Sequence, residues 1–346
     1  MLSIAKSLAK GPQPKWDFYL FYFPCQLAST RYLCASIATR APSKAINTRA
    51  PSKAIDTRAP SKAIDTRAPS KAQPASPIPK TTPIVHDPRN RPRYRILFFG
   101  SDNFAVKHLA ALIKEKERSE SVIRSIEVVT PPDRRTGRKL KEISPMPTKA
   151  LAELHDLAVH HTPSYTPPGI HSLAEWNLPL PADVSSTGFD LGVVVSFGYF
   201  LPPHILHAFP KGVINVHPSL LPKYRGAAPM QHTIMNGDVK TGVTVQELDE
   251  KEFDAGKILL QEEWVDKPIM FDSLAGALGL KGAALLVKTL RNYDVYKENA
   301  TMQDTTQVTH APKITKDMAF IDFETMPAET IERLHRAIGH QVAIVV

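Results

Sequence analysis

Asn215 and His217 stand two residues apart at the end of the apolar run Val213-Ile214-Asn215-Val216-His217, and the chain breaks at Pro218 directly after them. In an extended segment, side chains at i and i+2 share a face, so an amide and an imidazole would project together. Such a pair suits acyl transfer. The amide N–H can hydrogen-bond a tetrahedral oxyanion, and one preorganised donor is worth about 3–4 kcal/mol of barrier. The imidazole can move a proton near neutral pH, worth roughly 10²–10⁴-fold. Taken alone, two polar residues closing a buried strand are more often a hydrogen-bonded terminus than a reaction centre. Among the other histidines, His108, His160-His161, His232 and His310 offer no metal pairing at i, i+4 and read as structural. His204 and His207 read as capping or solvent-facing, and Asp249, Glu250 and Glu252 as a solvated turn.

The elements that would position the pair follow from apolar periodicity. Arg95-Ile96-Leu97-Phe98-Phe99 reads as a buried strand stopped by Gly100, with Ser101 or Asp102 capping a helix through Phe104, Ala105, Leu109, Leu112 and Ile113. Strands follow at Ile126–Val129, Leu191–Val195 and Val213–His217, then at Gly242–Leu248 and Ile258–Leu260. Between them the spacing predicts helices over 148–158, with Ala150, Leu151, Leu154 and Leu157 inward, and through Met230 to Met235. A long helix is predicted from Asp272 or Ser273 past Leu290, and a short one over 328–338. Near-continuous apolar strands alternating with helices imply an α/β, Rossmann-like, mostly parallel open sheet with helices on both faces. Ligands in such sheets bind beyond the carboxyl ends of the strands, where Asn215 and His217 sit. Gly100 is the only glycine of its turn, so a dinucleotide reading of this β-α start is weak.

The stretch VINVHPSLLPKYRGAAPMQHTIMNGDVKTGVTV, followed by FDAGKILLQ, resembles the formyltransferase superfamily that uses 10-formyltetrahydrofolate. Within it, RGAAP, the opening ILFFGSDNFAVKHL, and PPDRRTGR followed by SPMPTKALAE are most similar to the methionyl-tRNA formyltransferase family. The similarity spans roughly residues 94–341, and its specificity lies in the order and spacing of the pieces. It implies a formyltransferase fold, a catalytic trio of Asn215, His217 and Asp254, and a Ser219-Leu220-Leu221-Pro222 loop lying against the folate. It also implies that Arg138 meets the acceptor stem of an initiator methionyl-tRNA, although the loop around Arg138-Lys139 is about one residue shorter than the usual pattern. A carboxylate at Asp254 would hold the imidazole and favour its charged form. The chemistry requires 10-formyltetrahydrofolate as co-substrate, no metal and no covalent intermediate. Two alternatives stay open: a folate-dependent formyltransferase or hydrolase acting on a small molecule, and a catalytically silent module binding folate or RNA.

Charge divides the chain. Residues 1–92 carry 15 Lys and Arg against four Asp and no Glu, whereas the remainder has 28 against 30 Asp and Glu. The pI of about 9.4 therefore belongs to the leader and does not mark the rest as a nucleic-acid surface. Both cysteines, Cys25 and Cys34, fall in that leader, so cysteine nucleophiles and CxxC chemistry are excluded from the folded part. No stretch reads as a membrane span, and the chain is expected to be a monomer. Residues 1–38, acid-poor with scattered Lys, Arg and Ser, have the composition of a transit peptide. With the family resemblance, this implies the mitochondrial matrix, with a chloroplast second. From Thr39 a nine-residue unit, TRAPSKAIN or TRAPSKAID, repeats with a Pro and one large apolar residue each. Stacking could bury almost nothing, so 39–92 reads as a disordered low-complexity linker. A catalytic domain over 93–312 is expected next. Residues 313–346 then read as a linker or the start of a C-terminal region cut short, with tRNA binding weakened accordingly.

Overall fold

The computed structural model describes residues 93–345 except 137–138, 140, 164–172, 183–187 and 266–268. The leader and the repeats lie outside the described residues, as does Arg138. Strand β1 (Tyr94–Gly100) leads through α1 (Asn103–Lys116) to β2 (Ile123–Thr130), then to a small hairpin of β3 (Arg134–Thr136) and β4 (Glu142–Ser144). Next come α2 (Pro147–Leu154), β5 (Val159–His161), β6 (Leu191–Val195), α3 (Pro203–Leu206), β7 (Val213–His217) and α4 (Pro229–Asn236). The chain continues through β8 (Lys240–Glu247), β9 (Ile258–Val265), α5 (Phe271–Arg291), α6 (Tyr293–Glu298) and α7 (Ala328–Ile338).

The main sheet has the order β5-β2-β1-β6-β7-β8-β9. Strands β5 to β7 run parallel, and β8 and β9 are antiparallel to their neighbours. This is the mostly parallel sheet expected, with an antiparallel edge. Its central strands are mostly apolar because both faces are covered. On one face, Ile96 and Phe98 of β1 meet Leu109 and Leu112 of α1 and Leu274, Leu278 and Leu285 of α5. On the other, Leu97 and Phe99 lie with Phe197, Leu201, Ile205 and Phe209. The outer strand β9 exposes Glu262 and Glu263, charges that discourage edge-to-edge pairing. From β1 the chain builds outward to β2 and β5, then returns to place β6 on the other side of β1. That reversal opens a crevice at the carboxyl ends of β1, β6 and β7.

Several local expectations differ from the structure. Asp102, not Ser101, caps α1, its Oδ1 accepting from the Ala105 N–H at 2.9 Å. Helix α2 begins at Pro147 and turns its face by about one residue. Thr148 and Ala152 are buried while Leu154 is 77% exposed, because Thr148 Oγ1 donates to the Gly100 carbonyl at 2.9 Å. Helix α5, at 21 residues, is long and apolar enough to cross a membrane by length and composition, contrary to the reading above. Its leucines Leu274, Leu278, Leu285, Leu286 and Leu290 are buried in the core. In the stretch read as a linker or the start of a C-terminal region, Ala319, Ile321, Leu334, Ala337 and Ile338 are buried members of the main core.

His108 on α1 is fully buried, with Nδ1–H donating to the Phe104 carbonyl at 2.8 Å and Nε2 unpartnered among the described residues. Burial pushes its pKa from 6.5 down to about 4. Below pH 6.5 the unfolded chain therefore takes up a proton that the folded chain refuses. Stability at this site is full above that pH and should fall toward pH 4, by up to about 1.4 kcal/mol per pH unit. Urea unfolding at pH 7 and pH 5 should show this loss in the wild type and a smaller one in His108→Leu.

Candidate active site

Strand β7 is paired on both sides, Asn215 lying opposite Val194 of β6 and opposite Gln246 of β8, and His217 opposite Thr244. Both side chains leave the strand at its carboxyl end and line a cavity of about 540 Å³. The turn between β8 and β9 returns Asp254 to the same place, 7% exposed and in the left-handed region at φ 56°. Its Oδ1 accepts from Asn215 Nδ2 at 3.2 Å and from Gln246 Nε2 at 3.0 Å, while Oδ2 accepts from the Gly226 N–H at 2.9 Å. His217 Nδ1 lies 3.3 Å from Asp254 Oδ1, and His217 Nε2 faces the Tyr224 carbonyl at 2.9 Å. Acceptors thus face both ring nitrogens. Asn215 keeps one amide N–H beyond its bond to Asp254 and borders the cavity.

The structure therefore brings Asn215, His217 and Asp254 together. It does not bring Ser219, Leu220, Leu221 and Pro222 to the cavity wall, where only Pro218 from the start of that loop appears. Their polar groups are used elsewhere. Ser219 Oγ donates to the Lys223 carbonyl at 2.6 Å, Leu221 N–H donates to Thr244 Oγ1 at 3.2 Å, and Gln261 Nε2 donates to the Leu221 carbonyl at 2.8 Å. The loop thus packs on β8 and β9 beneath the strand end.

Sequence reasoning missed the opposite wall. Residues 196–201, directly after β6, supply Phe197, Tyr199, Phe200 and Leu201 to the cavity, turning through Ser196 (φ 47°) and Gly198 (φ 80°). An aromatic-glycine stretch right after a buried strand, SFGYFL, was the available signal. At the mouth, Phe253 stands edge-on to Phe200 with centroids 5.1 Å apart. Four carboxylates border the cavity, Asp102, Asp249, Glu252 and Asp254, with no lysine or arginine lining it among the described residues. Burial raises the Asp102 carboxyl above the usual range, partly offset by the backbone N–H groups of Ala105 and Phe104.

The Asp254 turn needs a glycine at 256, because a Cβ there would lie 1.8 Å from the Glu247 carbonyl oxygen. Backbone atoms cannot move aside as a flexible side-chain end can. Gly256→Ala should lower unfolding stability by about 3 kcal/mol or more, read as a shifted urea midpoint, and should reduce activity even where the variant remains folded.

Amide, imidazole and carboxylate thus converge in a crevice at the switch point of a mostly parallel sheet. The Formyl transferase family model matches residues 94–271, and the chain belongs to that family. The mitochondrial methionyl-tRNA formyltransferases of Bos taurus and Homo sapiens are each 36% identical to it over 258 residues, 74% of this chain and 60% of theirs. The chain thus spans about 60% of the length of these curated relatives. A sugar 3N-formyl transferase solved in the presence of dTDP and 5-N-formyl-THF shares the fold, at a TM-score of 0.50 and 17% identity, covering 70% of this chain and 78% of that one.

Proposed function

We propose that this chain transfers the formyl group of 10-formyltetrahydrofolate to the α-amino group of methionine on initiator methionyl-tRNA, for translation initiation in the mitochondrial matrix. The observation that carries the reading is the contact of Asn215, His217 and Asp254 at one end of the cavity. The amine attacks the formyl carbon, a new C–N bond forms, and the carbonyl oxygen becomes an oxyanion. Asn215 Nδ2–H hydrogen-bonds that oxygen, more strongly as charge develops. His217 carries the proton that the amine loses to the departing folate nitrogen, whose bond to carbon then breaks. Asp254 orients the imidazole through Nδ1 and the amide through Nδ2, so one carboxylate aligns both groups.

The cavity suits the co-substrate. A flat pterin with amino groups needs apolar surface and hydrogen-bond acceptors, and the cavity lining supplies both, in Phe197, Tyr199, Phe200 and Leu201 and in Asp102, Asp249 and Glu252. The Ser219-Leu220-Leu221-Pro222 loop would serve the folate by supporting Pro218 and the strand end. An anionic rim favours entry of the aminoacyl ammonium group and keeps phosphates outside. The tRNA backbone is assigned to the stretch of Arg134, Arg135, Arg138, Lys139 and Lys141. We take the enzyme to act as a monomer and the basic leader to direct it to the matrix.

The test is single-turnover formylation of initiator methionyl-tRNA by the purified chain with 10-formyltetrahydrofolate, alongside formate release without acceptor. Formyl-methionyl-tRNA production supports the reading. Formyl transfer only to an amino sugar nucleotide, formate release alone, or folate binding without turnover would each overturn it.

A further inference from the structure

The trio rests on a second buried layer that the mechanism does not use. Gln303 is 8% exposed and does not line the cavity, yet its Nε2 lies 2.8 Å from the Asp254 carbonyl, 2.8 Å from the Gly256 carbonyl and 3.2 Å from Gln246 Oε1. Gln246 in turn donates to the Asp254 carboxylate. The Gln303 carbonyl is gripped by Arg225, itself 6% exposed, with Nε at 3.1 Å and Nη2 at 2.9 Å. Arg225 Nη1 reaches Glu252 on the same turn at 3.2 Å, and the next residue supplies the Gly226 N–H that binds Asp254 Oδ2. The segment carrying Gln303 is tied down at both ends. Thr301 exchanges backbone bonds with Ile258, and Thr309 and Ala311 with Arg225.

We propose that Gln303, oriented by Arg225, is the positioning residue that holds the left-handed turn of Asp254 in its catalytic place. A polar network this deep is costly when half satisfied, so its members enforce one geometry. The guanidinium fixes which end of the Gln303 amide is the acceptor, leaving the NH₂ for the two turn carbonyls. With neither side chain at the cavity, Gln303 reaches the reaction through Asp254 and Gln246, and Arg225 through Gln303 and also through Glu252. The proposal rests on the formyl-transfer reading above.

Gln303→Glu tests it at constant size, because it keeps an acceptor for Arg225 and removes the donor facing the two carbonyls. The expected result is a kcat lowered roughly 10–100-fold, since small misplacements of catalytic groups cost that much, with the KM for 10-formyltetrahydrofolate within about threefold of wild type. In an Asp254→Asn background the same change should cost less than about threefold more, because both substitutions act through one group. Should Gln303→Glu not fold, by circular dichroism and urea titration, Arg225→Lys takes its place in the cycle, keeping the cation and losing the fork. An active wild type with additive losses, or a rise in KM at unchanged kcat, overturns the positioning role alone. A wild type that transfers no formyl group overturns the reaction and this proposal with it.

Discussion

Asn215→Ala is expected to lower kcat for formyl transfer by about 10²–10³-fold while leaving the KM for 10-formyltetrahydrofolate within about threefold of wild type. The split follows from where charge appears. In the ground state the formyl oxygen is a weak acceptor, and the Asn215 amide adds little to binding. In the transition state that oxygen is negative, and the same N–H, already fixed by its partner bond to Asp254 at 3.2 Å, stabilises it without reorganising. The amide also belongs to a strand paired on both sides, so truncation leaves the backbone frame intact. Steady-state kinetics with the donor varied at saturating acceptor would read this. A rise in KM at unchanged kcat would mean that Asn215 binds substrate and transition state equally, and the oxyanion role would fall.

Asp254→Asn should cost more, about 10³-fold or beyond in kcat, from a change of one atom's chemistry. The carboxylate is surrounded by donors: two side-chain amides and the His217 ring at Oδ1, and a backbone N–H at Oδ2. An asparagine must point its NH₂ at one of these sides and set donor against donor in a buried site. Leaving such groups unsatisfied costs roughly 1–3 kcal/mol in stability, and His217 loses the charge that orients it, a proton-transfer contribution of roughly 10²–10⁴-fold. Asparagine tolerates positive φ better than most residues, so the turn at φ 56° does not by itself prevent folding. Urea unfolding and kcat, measured on one preparation, separate the two effects. Retention of more than about a tenth of wild-type kcat would show that the carboxylate's charge is dispensable and that Asp254 only shapes the turn.

Much of the architecture was legible because burial on both faces leaves a local trace. Strands β1 and β6 carry the apolar runs Ile96–Phe99 and Leu191–Val195, β7 is apolar but for Asn215 and His217, and α1 and α5 repeat their leucines at helical spacing. The three-residue strands β3, β4 and β5 leave no such trace, since a period of two needs several residues to become visible. Helix α2 was placed but turned wrongly, because the bond from Thr148 to Gly100 set its face and no local periodicity encodes a bond across 48 residues. Gln246 could have been singled out as a polar side chain inside a buried strand, whereas nothing local marks Gln303 or the inward course of Arg225.

Asn215 and His217 share a face because a strand alternates, and that much follows from the order of residues in β7 alone. That Asp254 meets them depends on the antiparallel register that sets Gln246 opposite Asn215, and on a left-handed turn held by groups 28 and 49 residues away. The apolar Ser219–Pro222 loop shows the same division: its composition suited a cavity, and hydrogen bonds to Thr244 and Gln261 drew it onto the neighbouring strands instead. Local sequence determines which side chains point together along one element, since backbone geometry repeats. Which elements then face one another is decided by long-range packing and by the need to satisfy every buried polar group at once.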